Sequence, residues 1–286
     1  MSDQAERLRQ QIDVNKNTPK GKTIAIVSGK GGVGKSNFAI NFCIELVNSG
    51  KKPLLIDLDI GMGNVDVLLG RSANKTIVDL LKNMMSASDI VQTNEYGLDY
   101  IAGGSAINEL FTLSEREKNH FYKQYNELTR MYDYIIFDMG AGVTEESLFF
   151  ILASDEIIVV TTPEPTSITD SYSMMKHIIN KHRHIPIYIV MNRSFSQKSS
   201  EFSLERIQRA SEQFLNKSII SLGMIPDDKA VPEAVMKQKP YTILRPKSRA
   251  TRAVKQLTTN YLTDSQPNEN IKLTFIQKLK YFLKER

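Results

Sequence analysis

The chain lacks several features that would assign it to other classes of protein. Cys43 is the only cysteine among 286 residues, so an internal disulfide is impossible and a reducing environment is expected. No apolar run approaches the roughly 18 residues that a membrane-spanning helix needs. Residues 1–19 are polar and lack the apolar core of a secretory signal. These absences favour a cytoplasmic protein.

Charge is distributed unevenly along the chain. The formal net charge is +5, but the stretch 237–286 holds twelve Lys or Arg against three Asp or Glu, a local charge of +9. The first 236 residues therefore carry a net charge of −4. A basic end on a mildly acidic body suggests a polyanionic partner, either a membrane or a nucleic acid; a solvated surface is the alternative.

Apolar runs of strand length alternate with segments of helical spacing. The strand candidates are 23–28, 53–58, 134–137, 156–161, 185–191 and 219–225, with a weaker one at 98–102. The helix candidates include 37–48, 77–85, 114–131, 171–181 and 204–215. This alternation predicts an α/β fold, a doubly wound and mostly parallel sheet with helices on both faces.

The expected organisation has four parts. Residues 1–20 form a short charged segment, and residues 21–262 form the α/β domain. Residues 263–270 are a polar linker that leads to a final amphipathic helix over residues 271–286.

A phosphate-binding loop follows the first strand. Its candidate nucleotide-binding residues are Gly29, Lys30, Gly31, Gly32, Val33, Gly34, Lys35, Ser36 and Asn37. Glycines let successive N–H groups point at phosphate oxygens, and the following helix adds its positive N-terminal end. Lys35 is predicted to bridge the β- and γ-phosphates, and the Ser36 hydroxyl to ligate Mg²⁺. A glycine-rich turn without a ligand is the alternative.

A second lysine inside the loop narrows the interpretation. With Lys30, the loop resembles the K-G-G-x-G-K-[ST] loop of the MinD/ParA family of deviant Walker ATPases. The resemblance implies ATP and Mg²⁺ as ligands, slow ATP hydrolysis, and a homodimer closed by ATP. It also implies that Lys30 reaches the nucleotide of the partner subunit, where a second cation helps to stabilise the transition state. A solvent-facing loop lysine is the alternative.

Carboxylates follow two of the strands. Asp57 and Asp59 are two residues apart at a strand end, so both can face the phosphate crevice. The stretch D-x-D-x-G-x-x-N-x-D resembles the family's first switch, which implies that Asp59 positions the attacking water and that Asp57 lies near the metal. Asp138 resembles the Walker B aspartate, which implies a water-mediated contact to Mg²⁺. Gly140 stands near a position where many family members have proline. A strand cap or turn former is the alternative for an isolated aspartate.

Two further segments resemble the adenine-binding parts of the family. Asn192 ends a strand, where the resemblance implies a hydrogen bond to the base, although it could merely cap that strand. Pro226 and Asp227 lie in the other segment that would flank adenine. The guanine-specific N-K-x-D pattern is absent, because Arg193 follows Asn192, and ATP is therefore favoured over GTP.

The last helix candidate is amphipathic and basic. Its apolar residues, which we expect to bind an anionic membrane, are Ile271, Phe275, Ile276, Leu279, Phe282 and Leu283. Two copies in a dimer would bind more tightly than one. A helix docked on its own domain is the alternative, and both states can occur in turn, docked without ATP and released in the dimer. The predicted location is therefore cytoplasmic with reversible, peripheral membrane association.

The first residues resemble a motif of one branch of the family. The D-Q-A-x-x-L-R motif of the FlhG regulators of flagellar number and placement is matched by Asp3, Gln4, Ala5, Leu8 and Arg9. The resemblance implies that this segment stimulates an FlhF-type GTPase, with Gln4 carrying the activation, and that flagellar C-ring proteins are further partners. Composition alone shows only a short charged segment.

The sequence is therefore compatible with three functions. The favoured one is an ATP-dependent, membrane-binding spatial regulator. The second is a ParA-type partition ATPase that binds DNA non-specifically through a basic stretch, Arg245, Lys247, Arg249, Arg252 and Lys255. DNA is disfavoured because these residues could equally be a helix's solvent face, and the apolar stripe at the C-terminus would have no purpose on DNA. A metabolic enzyme is disfavoured because no substrate motif is visible.

Overall fold

A computed structural model describes residues 21–59, 64–103, 113–142, 144–264 and 273–284. Within these residues, eight strands form one sheet in the order β3-β4-β2-β5-β1-β6-β7-β8. All neighbours pair in parallel except β3 and β4. The strands are β1 Lys22–Ser28, β2 Pro53–Leu58, β3 Gln92–Thr93, β4 Asp99–Ile101, β5 Tyr134–Ala141, β6 Glu156–Thr161, β7 Ile187–Ser194 and β8 Ile220–Pro226. The predicted mostly parallel sheet is confirmed.

Helices cover both faces of this sheet. In chain order they are α1 Lys35–Asn48, α2 Val65–Leu68, α3 Ile77–Lys82, α4 Ala87–Ile90, α5 Glu115–Met131, α6 Glu145–Ala153, α7 Pro165–Lys181, α8 Gln197–Ala210, α9 Ala230–Met236, α10 Tyr241–Leu244, α11 Arg249–Asp264 and α12 Phe275–Lys284. A π-helical turn, Ser211–Leu215, extends α8. The described helices include none long and apolar enough to cross a membrane.

Alternate residues of each strand pack on opposite faces, as a sheet covered on both sides requires. On one face, Val27 and Phe137 belong to a core that includes helices α3 to α8 and α12. On the other face, Ile26 and Ile136 belong to a core formed with α1, α9, α10 and α11. The strands are therefore rich in β-branched residues without a polar face, which is why their apolar runs are continuous in the sequence.

The position of β1 fixes where a ligand can bind. β1 lies between β5 and β6, and the chain winds outward from it in both directions. In such sheets the crevice at the carboxyl ends of the central strands is the usual ligand site. The phosphate loop after β1, the acids after β2 and on β5, and the segments after β6 and β7 all reach this edge.

Two boundaries differ from the sequence-based expectation. Helix α11 continues to Asp264, two residues into the segment expected to be the linker, and the ring of its buried Tyr261 contacts Phe42 of α1 and Tyr188 of β7. The final helix begins at Phe275 and ends at Lys284 in the described residues. The predicted partner motif at residues 3–9 lies outside them, as does Ile271.

Candidate nucleotide-binding site

The phosphate loop curls because two of its glycines adopt left-handed backbone angles. Gly32 has φ 77° and Gly34 has φ 89°, a region that residues with a Cβ rarely occupy. A Cβ at Gly34 would lie 2.4 Å from Asn192 Nδ2, so this position also requires glycine for space. Helix α1 starts at Lys35 without a side-chain cap and with no acid in its first turn. Its first N–H groups are thus disposed to bind an anion.

Lys35 and Asp138 form the most buried ion pair of the site. The Lys35 Nζ donates to Asp138 Oδ1 over 2.6 Å, and the two side chains are 6% and 0% exposed. Asp138 Oδ2 is also buried, and no hydrogen-bond partner for it occurs among the described residues. A buried carboxylate oxygen without a partner is costly and points to a ligand or ordered water at that position.

Asp57 lies beside this pair, held by main-chain groups of the first switch. Its Oδ1 accepts the N–H of Asp59 over 3.0 Å, and its Oδ2 accepts those of Asn64 and Val65 over 2.9 and 3.1 Å. Burial, followed by the charge of Asp138, raises the pKa of Asp57 to about 7, although these three hydrogen bonds oppose the shift. The carboxylate therefore organises the start of α2.

Asp59 is more accessible than Asp57. Burial raises its pKa and the charge of Lys35 lowers it, with a smaller raising contribution from Asp138. These interactions place Asp59 in the same electrostatic cluster as Lys35 and Asp138. The three predicted acids are thus brought together around one lysine.

This cluster suits a divalent cation with few protein ligands. Lys35 interacts with Asp138 and Asp59, and Asp57 adds a third carboxyl group beside Asp138, so added positive charge would be stabilised there. The described residues contain no group of three or more His, Cys, Asp or Glu arranged to hold a metal by themselves. Mg²⁺ at nucleotide sites is bound by one or two protein oxygens together with phosphates and waters, which agrees with both observations. Ser36, Asp57 and Asp138 remain the candidate ligands.

Lys30 contrasts with Lys35, since it is 42% exposed. Its Nζ lies 3.1 Å from Glu164 Oε2 and 3.2 Å from Thr166 Oγ1, at the start of α7 in the same chain. Glu164 is itself 57% exposed, and an exposed ion pair contributes little stability. Lys30 can therefore exchange this partner for another acceptor at small cost. The residues around it were not predicted, because they lie more than 130 positions away in the sequence.

The second switch continues β5 and then enters α6. The Gly142 N–H donates to the Ser28 carbonyl over 2.9 Å, so this amide is not free to contact a phosphate in this conformation. Thr144 and Ser147 form a capping box that starts α6 directly afterwards.

A cleft of about 560 Å³ extends from the phosphate loop toward β7 and β8. Gly34, Asn37, Asn192, Pro226 and Asp227 all line it, so the structure brings these predicted residues together. Phe38 and Tyr241 are among its further lining residues. The cleft begins where the triphosphate would end, as a base site must.

The orientation of the Asn192 amide is set by the phosphate loop. Its Nδ2 donates to the Val33 carbonyl over 2.7 Å, which leaves Oδ1 as the free acceptor of this side chain. An acceptor matches the exocyclic amino group of adenine and would oppose the corresponding oxygen of guanine. Asn192 lies inside β7, two residues before its end, rather than ending the strand as expected, and it remains the candidate residue for contacting a base.

The apolar face of α12 packs on the domain in this structure. Phe275, Ile276 and Leu279 are buried, and Phe282 and Leu283 are partly buried in the same core. The Phe275 ring lies 4.5 Å from the ring of Tyr125, measured between centroids. The predicted membrane-binding residues that the structure describes are therefore wholly or partly covered, which agrees with the docked alternative.

Polar contacts fix the register of this docked helix. The Lys278 Nζ donates to Asp155 Oδ1 over 2.7 Å and to the Ser154 carbonyl over 3.2 Å. Asp155 also accepts the Thr23 N–H over 3.0 Å, at the start of β1. Helix α12 is thus anchored at the amino edge of the sheet and packs chiefly against α6.

Comparison with known proteins identifies the family. A ParA model, described as NUBPL iron-transfer P-loop NTPase, matches residues 20–262. The antiactivator FleN of Pseudomonas aeruginosa is 27% identical and covers 90% of this chain and 93% of its own. The flagellum site-determining protein YlxH of Helicobacter pylori is 30% identical, over 98% and 99% of the two chains. MinD of Pyrococcus horikoshii, solved with Mg-ADP, superposes with a TM-score of 0.69 at 24% identity, over 88% and 100% of the chains.

The chain belongs to the ParA/MinD family of P-loop NTPases, and by that membership it is an ATPase. This confirms the resemblance drawn from the loop with its two lysines. Two of its nearly full-length relatives, FleN and YlxH, carry names that refer to antiactivation and to flagellum siting.

Proposed function

We propose that this protein is an ATP-dependent dimerising switch that regulates flagellar number or placement at the membrane. The observation that carries the proposal is the position of α6, which joins the second switch to the groove that holds the amphipathic helix α12. A change at the nucleotide would thereby reach the tail. The likeness to FleN and YlxH supports the flagellar assignment.

In the proposed cycle, Ser36, Asp57 and Asp138 would hold Mg²⁺ beside the phosphates of ATP, and the ion would supply charge stabilisation there. Lys35 turns from Asp138 to the β- and γ-phosphates, while loop N–H groups hold the remaining oxygens. Asp59 holds and orients the attacking water. The solved structure of MinD with Mg-ADP supports Mg²⁺ and an adenine nucleotide as the ligands of this site. Hydrolysis is expected to be slow without a partner.

Dimerisation would use Lys30. In the described chain it is bound only by exposed groups, and a second subunit could offer its nucleotide instead. ATP would then be shared between two chains, with the positive charge of each Lys30 placed on the partner's phosphates. The homodimer would persist until hydrolysis removes the γ-phosphate.

Release of α12 would follow dimer closure. Its buried face, Phe275, Ile276, Leu279, Phe282 and Leu283, is the face that an anionic bilayer would accept. Lys280 and Lys284 are on its exposed side and would lie near lipid headgroups. The protein would thus be cytoplasmic with ADP and peripherally membrane-associated with ATP.

Two partner classes complete the proposal. The segment with Asp3, Gln4, Ala5, Leu8 and Arg9 would stimulate an FlhF-type GTPase. Flagellar C-ring proteins would bind the ATP-loaded dimer. Both assignments are supported only by the resemblance of the sequence motif and by the flagellar names of the relatives.

The DNA-binding alternative receives less support from the arrangement of the basic stretch. The first two arginines of the basic stretch already have partners. Arg245 pairs with Glu233 over 2.7 Å, and Arg249 donates to the Asp227 carbonyl over 3.0 Å. Arg252 and Lys255 are exposed on α11. The Glu233 carboxylate offsets the charge of Arg245, and the hydrogen bond of Arg249 occupies one of its donors, so this stretch offers less to a phosphate backbone than its sequence suggests.

Sedimentation on anionic liposomes tests the proposal. We would compare the intact chain, a chain ending at residue 270, and Asp59→Ala, each with ADP or a non-hydrolysable ATP analogue. Binding with the ATP analogue that is lost without the tail is the expected result. The Asp59→Ala variant should remain bound to the liposomes with ATP itself, because it cannot hydrolyse the nucleotide.

A matched pair of charge reversals separates membrane from DNA. Lys284→Glu lies on the tail and Lys255→Glu on α11, and both lysines are exposed. Membrane targeting predicts that only Lys284→Glu weakens sedimentation. If the intact chain stays in the supernatant with every nucleotide, the membrane function is wrong; DNA binding that Lys255→Glu abolishes would then favour the alternative.

A further inference from the structure

Two exposed apolar side chains stand at the mouth of the cleft that lies beyond the phosphate loop. Phe195 is 78% exposed and Met236 is 86% exposed, and both line this cleft. They come from different elements, since Phe195 follows β7 and Met236 ends α9. Large apolar groups exposed together at a concave site commonly mark a contact surface.

The main chain beside Phe195 is held firmly although its ring is not. Arg193 adopts a left-handed φ of 54°, which turns the chain after Asn192. The Ser194 hydroxyl then donates to Ser200 Oγ over 2.6 Å, and its carbonyl accepts the Asp227 N–H over 3.0 Å. Phe195 therefore projects from a fixed point, and its exposure is not the result of a loose end.

The cleft has one end at the phosphate loop. Gly34 and Asn37 belong to the loop and to α1, and they line the same cleft as Phe195. A ligand whose phosphates lie on the loop must therefore place its other end among Asn192, Phe195 and Met236. The Asn192 Nδ2 is taken by the Val33 carbonyl, so its Oδ1 is the atom that can accept from a heteroaromatic group, and such a group would lie beside the Phe195 and Met236 side chains that line the same cleft.

We propose that the Phe195 ring stacks on the purine base of the bound nucleotide, with Met236 on the opposite face. This inference rests on the proposed function, because it assigns a base-binding role within the same nucleotide site. An aromatic ring supplies contact area with few rotatable bonds, and stacking on a base is sequence-tolerant and favourable. The Met236 thioether adapts to the second face.

Fluorescence offers a direct test because the sequence contains no tryptophan. In Phe195→Trp, the new indole would be the only one, and stacking on adenine should quench it saturably with ADP and with ATP alike. Tripolyphosphate, which fills the phosphate loop without a base, should leave its emission unchanged. Phe202→Trp is the matched control, since Phe202 is 59% exposed but does not line the cleft.

Calorimetric titration supplies the second measurement. Phe195→Ala should weaken ADP binding roughly tenfold, within the range of about 5- to 150-fold that stacking losses on alanine substitution span. Its affinity for tripolyphosphate should not change, and Phe195→Tyr should restore ADP binding to nearly the wild-type value. Phe202→Ala should bind ADP as the wild type does.

The outcomes separate this inference from the function on which it rests. If the wild type binds ADP but Phe195→Ala binds it equally well, the stacking role is wrong while the nucleotide switch survives. A Phe195→Trp signal that appears with ATP only, and grows with protein concentration, would overturn stacking in favour of a subunit contact. If the wild type binds neither ADP nor ATP, the proposed function and this inference are wrong together.

Discussion

The two edges of the sheet differ in how their charges are balanced. At the carboxyl edge, Lys35 pairs with Asp138 while Asp57 and Asp59 lie close by. At the amino edge, two carboxylates each pair with a cation of their own: Lys22 lies 2.7 Å from Glu156, and Lys278 lies 2.7 Å from Asp155. The carboxyl edge therefore gathers three acids near one buried lysine, whereas Glu156 and Asp155 at the amino edge are balanced one to one.

The same contrast extends to the backbone and the apolar contacts. The carboxyl edge contains the left-handed glycines of the phosphate loop and Asp138 Oδ2, a buried oxygen with no hydrogen-bond partner among the described residues. At the amino edge, two tyrosines hydrogen-bond to residues of the strands. The Tyr261 hydroxyl donates to Glu156 over 2.6 Å, and the Tyr125 hydroxyl shares a 2.6 Å hydrogen bond with Thr23. An edge that is incomplete by itself suits a ligand, whereas a satisfied edge suits a docked segment of the same chain.

The largest expected effect comes from removing the cation of the carboxyl edge. Lys35→Ala should abolish ATP hydrolysis and lower the free energy of unfolding by about 3–5 kcal/mol, because it leaves Asp138 as a buried, uncompensated charge. Phosphate release and chemical unfolding measure the two effects. Adding Asp138→Asn should recover much of the stability and none of the activity. Lys30→Ala is the exposed control, and equal destabilisation by both lysine variants would contradict the comparison.

Asp59→Ala should reduce hydrolysis alone. Loss of the group that orients the attacking water is expected to slow turnover by about 10²–10⁴-fold, with nucleotide affinity nearly unchanged. Single-turnover phosphate release and equilibrium binding separate the two quantities. Asp66→Ala, in the same switch segment, is the control. If Asp59→Ala instead lost nucleotide binding, the acid would be a binding residue.

At the amino edge, Phe275→Ala should lower the free energy of unfolding without changing the rate of ATP hydrolysis. The Phe275 ring lies within 4.5 to 5.9 Å of the rings of Tyr125, Phe137 and Phe150, so its loss should cost about 3–5 kcal/mol. Tyr281→Ala, on the exposed side of the same helix, should cost about 0.5 kcal/mol. Equal unfolding curves for the two variants would show that the tail does not dock in solution.

The carboxyl edge should also respond to pH. The folded-state pKa of Asp57 is raised to about 7, so its contribution to stability is present below pH 3.8 and is lost as pH rises toward 7. Asp57→Asn should remove this dependence from the nucleotide-free protein. Melting temperatures at pH 5 to 8 should then show a variant-minus-wild-type difference that increases up to about pH 7 and levels off. Parallel curves would contradict the assignment.

The smallest expected effect is that of the ion pair which anchors the tail. Lys278→Met should lower the free energy of unfolding by about 1 kcal/mol at most, since a partly exposed pair contributes little. Limited proteolysis in the tail should nevertheless become faster. Lys284→Met is the control, because that lysine is exposed at the helix end. Unchanged proteolysis in Lys278→Met would mean that apolar contacts alone hold the tail.

Local signals in the sequence were enough to predict the sheet and the phosphate loop. The loop spacing, the strand-end acids and the apolar runs each follow from residues close together in the chain. Helix α6 could not be predicted from periodicity, because its residues 148–153 are all apolar and show no helical period. Its position could therefore not be foreseen as a link between switch and tail.

Features that depend on distant residues could not be predicted. The contacts of Lys30 with Glu164, of Asn192 with Val33, and of Phe275 with Tyr125 each join segments more than 130 positions apart. The sequence is compatible with either a docked or a membrane-bound tail, because both the domain and a membrane would bury the same apolar face of the helix. Only the packing of α12 on α6 distinguishes the state described here.

Because the tail docks on the domain, the domain competes with any other surface for the apolar face of α12. If the undocked fraction is f, the apparent dissociation constant for a membrane is the intrinsic value divided by f. Each 1.4 kcal/mol of docking free energy therefore weakens apparent binding about tenfold. Variants that loosen the groove would then behave as though they carried ATP, and variants that tighten it would stay in solution with ATP bound.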